Sequence, residues 1–198
     1  YGGVLSLPVD PDSLRTLAQW CGLPLDRFTA ELWRERPAYD RGDVGTDGFW
    51  SRILALAGRS PDAGLLERLN REDLRGWGRV NERVLGWSRR LRDEGYRTAI
   101  LSNMPQSLLD LMNTDPSFAW LAEFPVSVFS CEVRLVKPEP EIFRVLLERL
   151  GEPAGSCLFL DDSVRNAAAA KAAGIRALHF FSTDEAAIAL SNLGLPAL

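Results

Sequence analysis

Two consecutive acidic residues, Asp161 and Asp162, follow the apolar run CLFL and are followed by Ser163. Adjacent carboxylates repel each other unless a positive charge compensates them. A hard divalent cation such as Mg²⁺, bound through oxygen ligands, supplies that charge in many proteins. The alternative is a pair of surface acids at the start of a helix that Ser163 caps. This pattern alone leaves both interpretations open.

A lysine and a serine–asparagine pair are the other candidates for chemistry. Lys137 precedes Pro138 in LVKPEPEIF, so the lysine is biased toward extended backbone. A lysine fixed in this way can direct its ammonium group at a phosphate or a carboxylate. Ser102 and Asn103 end the segment AILSN, where a hydroxyl and backbone N–H groups can hold an anionic oxygen. The alternatives are an ordinary surface lysine and a plain turn.

The composition limits which other chemistry the chain can perform. The 198 residues are 46% apolar and 25% charged, which is typical of a globular protein. The net charge of -4 argues against nucleic acid as a partner, because phosphate backbones attract basic surfaces. The single histidine, His179, and the dispersed cysteines provide neither a nucleophile–histidine pair nor a Cys/His metal site. Any catalysis must therefore use carboxylates, lysine, serine and backbone groups.

The cysteines and the apolar runs bear on where the protein works. We expect the three cysteines to be reduced thiols of a cytoplasmic protein; they are Cys21, Cys131 and Cys157. No apolar run approaches the roughly 18 residues that a membrane span requires. We therefore expect no membrane partner.

Short apolar runs alternate with helical segments after Gly95. The runs are RTAILS, VSVFS, CLFLDD and IRALHFF. This alternation predicts an α/β fold with a Rossmann-like parallel sheet core and helices on both faces. Ligands bind such sheets at the carboxyl ends of the strands, so the polar residues there are expected to come together. These residues are Ser102, Asn103, Ser130, Asp161 and Asp162.

The first half of the chain has helical periodicity and no strand pattern. Capping residues and glycines bound its segments, as in DPDSLRTLAQWCG and TDGFWSRILALAG. We predict that residues 10–94 form an all-helical cap subdomain. Residues 1–9 and 95–198 then form the Rossmann-like core, and the cap is inserted after the segment YGGVL.

Four segments, taken in order, resemble those of the haloacid dehalogenase superfamily: YGGVL, ILSN, KPEPEIF and FLDDSVRNAAAAKAAGI. The resemblance covers nearly the whole chain and is strongest to the sugar-phosphate phosphatase branch with a helical cap. It implies a Mg²⁺-dependent hydrolase of a small phosphorylated metabolite that works through an aspartyl-phosphate. By the same resemblance, Ser102, Asn103 and Lys137 bind the transferring phosphate. Asp162 binds Mg²⁺ directly and Asp161 binds it through a water.

The first motif of this family begins with a nucleophilic aspartate at the end of an apolar strand. Matching YGGV to it places the nucleophile immediately before Tyr1, so we expect an upstream strand that ends in Asp. The resemblance also assigns the backbone carbonyl of Gly2 to the metal. Most relatives carry a second Asp at this position as the general acid. Its loss leaves open a substrate with a good leaving group, such as an anomeric sugar phosphate, protonation by a cap residue or water, or a slow or inactive protein.

Four residues of the predicted cap are candidates for contact with the leaving group. They are Trp33, Arg36, Tyr39 and Arg41. Core packing of the aromatic residues and solvent exposure of the arginines are the alternatives. Two other functions also remain open: a metal-free hydrolase of the haloacid dehalogenase type, and a non-catalytic binding protein that kept the fold.

Overall fold

The computed structural model describes residues 1–196 and 198. The helices are Pro11–Cys21 (α1), Leu25–Arg41 (α2), Thr46–Ala55 (α3), Ala63–Trp77 (α4), Glu82–Asp93 (α5), Gln106–Thr114 (α6), Ser130–Val133 (α7), Pro140–Leu150 (α8), Val164–Ala172 (α9) and Thr183–Ser191 (α10). The strands are Ala99–Ser102 (β1), Val126–Phe129 (β2), Leu158–Asp161 (β3) and Arg176–His179 (β4). Short 3₁₀ helices occupy Pro116–Glu123 and Ala154–Ser156.

The helices of the first half begin and end at the signals in the sequence. The Asp10 side chain accepts a hydrogen bond from the backbone N–H of Asp12 and caps α1. Gly22 ends α1 with a φ of 75°, a left-handed conformation that glycine adopts without steric cost. Helices α1 to α4 enclose a core of their own in which Phe28 and Trp50 are fully buried. The helical pattern of this region is thus confirmed.

Helix α5 packs differently from the four helices before it. Its buried residues Val84, Leu85 and Trp87 belong to the same apolar cluster as Ile100 of β1 and Leu108 of α6. The cap boundary at residue 94 stays a prediction. This packing favours a boundary nearer the end of α4.

The four strands lie in the four predicted runs and pair in parallel, β1 with β2 and β3 with β4. Ile100 packs against α5 and α6, whereas its neighbour Leu101 packs with Ile142 and Phe143 of α8. Successive strand residues point to opposite faces, so helices cover both faces of the strands. The α/β class with parallel strands and flanking helices is confirmed.

The strands form two separate pairs rather than one continuous sheet. A cavity of about 590 Å³ lies between β1 and β3, lined by residues 98–101 and 157–160 and by Trp87 and Leu91 of α5. We call this cavity the inter-sheet slot. Strand β1 pairs with β2, and β3 pairs with β4. Among the described residues, the other edge of β1 and of β3, which faces the slot, has no paired strand.

Among the described residues, no helix has both the length and the apolar character needed to cross a membrane.

Candidate active site

A buried ion pair lies at the carboxyl-terminal ends of β1 and β3. The Nζ of Lys137 lies 2.6 Å from Oδ2 of Asp161, the last residue of β3. The same ammonium group donates a hydrogen bond of 3.0 Å to the carbonyl oxygen of Leu101 in β1. Lys137 thus links the two strand pairs, and both members of the ion pair are buried. Its position is that of a fixed cation between two strand ends, as the sequence predicts, and not that of a surface lysine.

The backbone of Lys137 is fixed by the residue that follows β1. The side chain of Asn103 accepts from the N–H of Lys137 at 2.8 Å and donates to its carbonyl oxygen at 3.0 Å. Ser102 lies beside this pair, 2% exposed, and its hydroxyl donates to the carbonyl oxygen of Asn103 at 3.3 Å. The structure therefore brings together the three residues expected to bind phosphate. Their contact with a phosphate stays a prediction.

Asp161 accepts hydrogen bonds on both carboxylate oxygens. Oδ1 accepts from the N–H of Ser163 at 3.0 Å and from Nδ2 of Asn166 at 2.9 Å, while Oδ2 faces Lys137. Burial on its own would raise the pKa of Asp161, but the Lys137 ammonium group and these donors hold the pKa below its ordinary value. Asp161 is thus a fixed, ionised carboxylate.

The carboxyl group of Asp162 packs against the first turn of the chain. A β-carbon on Gly3 would lie only 2.4 Å from Oδ2 of Asp162, so glycine is required at this close approach. Local desolvation raises the pKa of Asp162, and the neighbouring charge of Asp161 raises it further. On the other side, Nε2 of His179 lies 3.0 Å from the carbonyl oxygen of Asp162. The two aspartates therefore differ in environment although they are adjacent in sequence.

The backbone nitrogen of Tyr1 is buried at the same place. This nitrogen lies close enough to Lys137, Asp161 and Asp162 to be affected by their charges. The Tyr1 side chain is 7% exposed and lines the inter-sheet slot. Tyr1 therefore lies beside the Lys137–Asp161 pair and Asp162.

The residues near Asp162 carry oxygen atoms of the kind that a hard cation prefers. Asp162 and the carbonyl oxygen of Gly2 belong to the oxygen donors that Mg²⁺ prefers. Asp161 is already held by Lys137, which suits contact through a water better than direct ligation. Within residues 1–196 and 198, no group of three or more His, Cys, Asp or Glu side chains forms a metal site. The assignment of Asp162, Asp161 and the Gly2 carbonyl to a Mg²⁺ ion stays a prediction.

Two of the four cap candidates, Arg36 and Tyr39, are buried and take part in structural contacts. Arg36 is buried, with Nη1 at 2.9 Å from Asp73 and Nε at 3.1 Å from Asp40. The hydroxyl of Tyr39 lies 2.8 Å from Oγ of Ser107 and 3.1 Å from Oγ1 of Thr46. Ser107 belongs to α6, so this contact joins α2 to the strand-bearing region. Contact of these side chains with a substrate stays a prediction, and the solvent-exposed alternative for Arg36 is wrong.

The remaining two candidates lie nearer the surface. Arg41 forms an ion pair with Glu139 at the start of α8 and another with Asp43. Trp33 is 45% exposed and meets the indole of Trp77 edge to face, with 6.1 Å between the ring centroids. Trp33 therefore keeps the exposed surface that a substrate contact requires.

The buried pair of Arg36 and Asp40 predicts a pH dependence of stability. Burial raises the pKa of Asp40 to about 6, and the charge of Asp73 adds to this effect against the opposing charges of Arg36 and Lys137. The folded protein binds this proton more tightly than the unfolded chain. Protonation of Asp40 therefore contributes stability that grows as the pH falls from about 6 toward 4, on the order of 2 kcal/mol.

Urea unfolding at pH 4.5 and at pH 6.5 checks this expectation in the wild type and in Asp40→Asn. Other carboxylates change stability as well, so the informative quantity is the difference between the two proteins. The variant should gain less stability than the wild type on acidification. Equal changes in both proteins would contradict a raised pKa at Asp40.

Parallel strands between helices, with a buried lysine–carboxylate pair at the strand ends, define an α/β protein of the Rossmann type. A family model described as haloacid dehalogenase-like hydrolase matches residues 14–174. The chain therefore belongs to the haloacid dehalogenase-like hydrolase family, as the sequence motifs indicate.

Curated proteins with similar sequences match only part of the chain. Protein CbbY of Cupriavidus necator is 33% identical over 113 residues, which cover 53% of this chain and 44% of that protein. The bifunctional riboflavin kinase/FMN phosphatase of Arabidopsis thaliana is 33% identical over 90 residues, which cover 46% of this chain and 24% of that protein. The chain thus matches less than half the length of either relative.

Solved structures show the same fold over most of the chain. An enzyme of this family from Bacteroides thetaiotaomicron has a TM-score of 0.73 and 21% identity, covering 90% of this chain and 89% of that one. A variant of that enzyme in complex with magnesium and inorganic phosphate has a TM-score of 0.72 and 22% identity over 89% of each chain. A phosphatase of the family from Thermococcus onnurineus has a TM-score of 0.53 and 26% identity, covering 84% of this chain and 74% of that one.

Proposed function

We propose that the protein is a Mg²⁺-dependent phosphatase that hydrolyses a small phosphomonoester such as a sugar phosphate. The observation that carries the proposal is the buried pair of Lys137 and Asp161 beside the separate carboxylate of Asp162. A fixed cation next to a cation-binding carboxylate suits a phosphoryl group, whose charge both can offset. The magnesium and phosphate bound to the Bacteroides thetaiotaomicron variant and the phosphatase names among the relatives support the same chemistry. The cytoplasmic location and the core–cap division of the chain remain predictions.

The inter-sheet slot supports a further strand that supplies the nucleophile. One strand inserted between β1 and β3 would pair with both and join the two strand pairs into a single parallel sheet. Its carboxyl end would meet the buried nitrogen of Tyr1, beside Lys137, Asp161 and Asp162. We therefore place the expected aspartate immediately before Tyr1, where it would also supply the missing carboxylate for the cation.

The reaction divides into two displacements at phosphorus. A carboxylate oxygen of the upstream aspartate attacks phosphorus, and the bond to the leaving oxygen breaks with both electrons going to that oxygen. Water then attacks the aspartyl-phosphate, which releases inorganic phosphate and restores the carboxylate. Lys137 and the hydroxyl of Ser102 offset the charge that builds on the phosphoryl oxygens, and Asn103 keeps Lys137 in place. Mg²⁺, held by Asp162 and the Gly2 carbonyl, would supply further charge neutralisation.

The decisive experiment extends the chain with its natural upstream residues and measures phosphate release. We expect a Mg²⁺-dependent release from a panel of small phosphomonoesters. Replacement of the residue before Tyr1 by Asn should abolish it, because an amide is a poor nucleophile. Upstream residues that form no strand ending in Asp would overturn the assignment of the nucleophile.

The same assay separates the other two functions. Halide release from 2-haloacids without Mg²⁺ would identify the metal-free dehalogenase chemistry. If the folded, extended chain releases neither phosphate nor halide, the remaining function is that of a non-catalytic binding protein. The 198-residue chain without an upstream extension serves as the matched control.

A further inference from the structure

The first turn of the chain contains Gly2 and Gly3, which bring only backbone atoms to the site. A β-carbon at Gly2 would lie 2.9 Å from Cζ3 of Trp77, closer than nonbonded carbon atoms approach. A β-carbon at Gly3 would lie 2.4 Å from Oδ2 of Asp162, and the φ of Gly3 is 72°. Neither position therefore has room for a side chain that could donate a proton.

The indole of Trp77 is held in place from several sides. The hydroxyl of Tyr1 donates a hydrogen bond of 2.7 Å to the carbonyl oxygen of Trp77, which ties the end of α4 to the first turn. The guanidinium group of Arg36 lies over the indole, 5.5 Å from the ring centroid, and is itself fixed by its ion pair with Asp73. The ring of Trp33 meets the indole edge to face. These contacts hold the Trp77 indole in a fixed position beside Gly2.

The carboxylates next to this turn are engaged in other roles. Asp161 forms its ion pair with Lys137, which requires the ionised carboxylate. Asp162 is the carboxylate that the proposed function assigns to the cation. Neither aspartate is therefore available to protonate a leaving group.

We propose that this enzyme selects phosphates whose leaving group departs without receiving a proton, and that Trp77 enforces the selection by occupying the space beside Gly2. The inference rests on the proposed phosphatase function. When the bond from phosphorus to the leaving oxygen breaks, that oxygen keeps both electrons. A phenolate, a carboxylate or an anomeric sugar oxygen stabilises this charge far better than a simple alkoxide does. The substrate class is therefore that of aryl, acyl and anomeric phosphates.

The test compares two esters in the chain extended with its natural upstream residues. The p-nitrophenolate of p-nitrophenyl phosphate leaves without a proton, whereas the ethoxide of ethyl phosphate does not. We expect kcat/KM to be about 10²–10⁴-fold higher for the aryl ester, which is the range that a missing general acid costs. The double variant Gly2→Asp/Trp77→Ala should narrow this ratio at least about tenfold by raising ethyl phosphate turnover. Gly2→Asp alone should lower turnover of both esters.

Two outcomes overturn the inference while the proposed function stands. One is a wild-type ratio below about tenfold with both esters hydrolysed, and the other is a gain in ethyl phosphate turnover by Gly2→Asp alone. Absence of phosphate release from both esters overturns the proposed function and the inference together. Thermal unfolding provides a readout that is independent of activity, since Gly2→Ala should lower Tm in the wild type and lower it less in the Trp77→Ala background. An equal decrease in both backgrounds would show that the indole does not exclude a side chain at residue 2.

Discussion

Replacement of Lys137 by alanine should lower kcat/KM for phosphate release by about 10²–10³, the loss seen when one preorganised charge donor is removed. Lys137 is buried and its ammonium group contacts both strand pairs, so solvent cannot take its place. The assay uses the chain extended with its natural upstream residues, in saturating Mg²⁺. The other lysine of the sequence, Lys171, is exposed on α9 and provides the matched control. Lys171→Ala should leave kcat/KM within about twofold of the wild-type value.

Loss of stability is the main competing explanation for reduced activity in Lys137→Ala. The substitution leaves the charge of Asp161 buried without its partner, which is costly. The double variant Lys137→Met/Asp161→Asn removes both charges and should recover much of the thermal stability without recovering activity. If Lys137→Ala keeps activity within tenfold of the wild type, the lysine serves the structure rather than the phosphate.

The strands and the polar residues at their ends could be predicted from the sequence because both depend on local patterns. Each apolar run is long enough for one buried strand, and three of the four, such as CLFLDD, end in a polar residue. Parallel strands bring these ends to one edge, so Ser102, Asn103 and Asp161 could be placed together without knowledge of the tertiary structure. Lys137 could be added to them only through the family resemblance. The partner that each carboxylate takes could not be predicted, since Asp161 and Asp162 have the same side chain and adjacent positions.

The contacts of α2 and α4 could not be predicted for a different physical reason. Asp73 lies in a helix rich in arginine and glutamate, a composition that indicates a solvated surface, yet it is 1% exposed and binds Arg36. Helical periodicity identifies which residues share a face but not which other helix that face meets. The packing of Trp77 against Gly2 could not be predicted for the same reason, because the two residues are 75 positions apart in the sequence.

The separation of the strands into two pairs could be anticipated in part. YGGVL carries the glycines that normally follow a strand, but no apolar run precedes them in this sequence. The structure has a slot of about 590 Å³ between β1 and β3, at the place where such a strand would pair. The sequence motif and the cavity are therefore two separate observations that support the proposed upstream strand.

Replacement of Asp162 by asparagine should abolish Mg²⁺-dependent phosphate release, because the carboxylate that we propose as the cation ligand becomes a neutral amide of the same size. The variant keeps the close packing against Gly3, so its fold should be preserved. Asp93→Asn at the exposed end of α5 is the matched control, since it removes the same charge away from the site.

Metal binding can be measured separately from catalysis in the same variants. A bound cation stabilises the folded state by RT ln(1 + [Mg²⁺]/Kd), about 2.7 kcal/mol at a hundredfold excess over Kd. Titration with MgCl₂ should therefore raise Tm in the wild type and in Asp93→Asn, but not in Asp162→Asn. Loss of activity with an unchanged Mg²⁺-induced increase in Tm would mean that Asp162 acts on the substrate and that the cation is bound elsewhere. Retention of both activity and stabilisation would remove Asp162 from the metal site, and the paired acids of FLDDSVRN would then be ordinary residues at the start of α9.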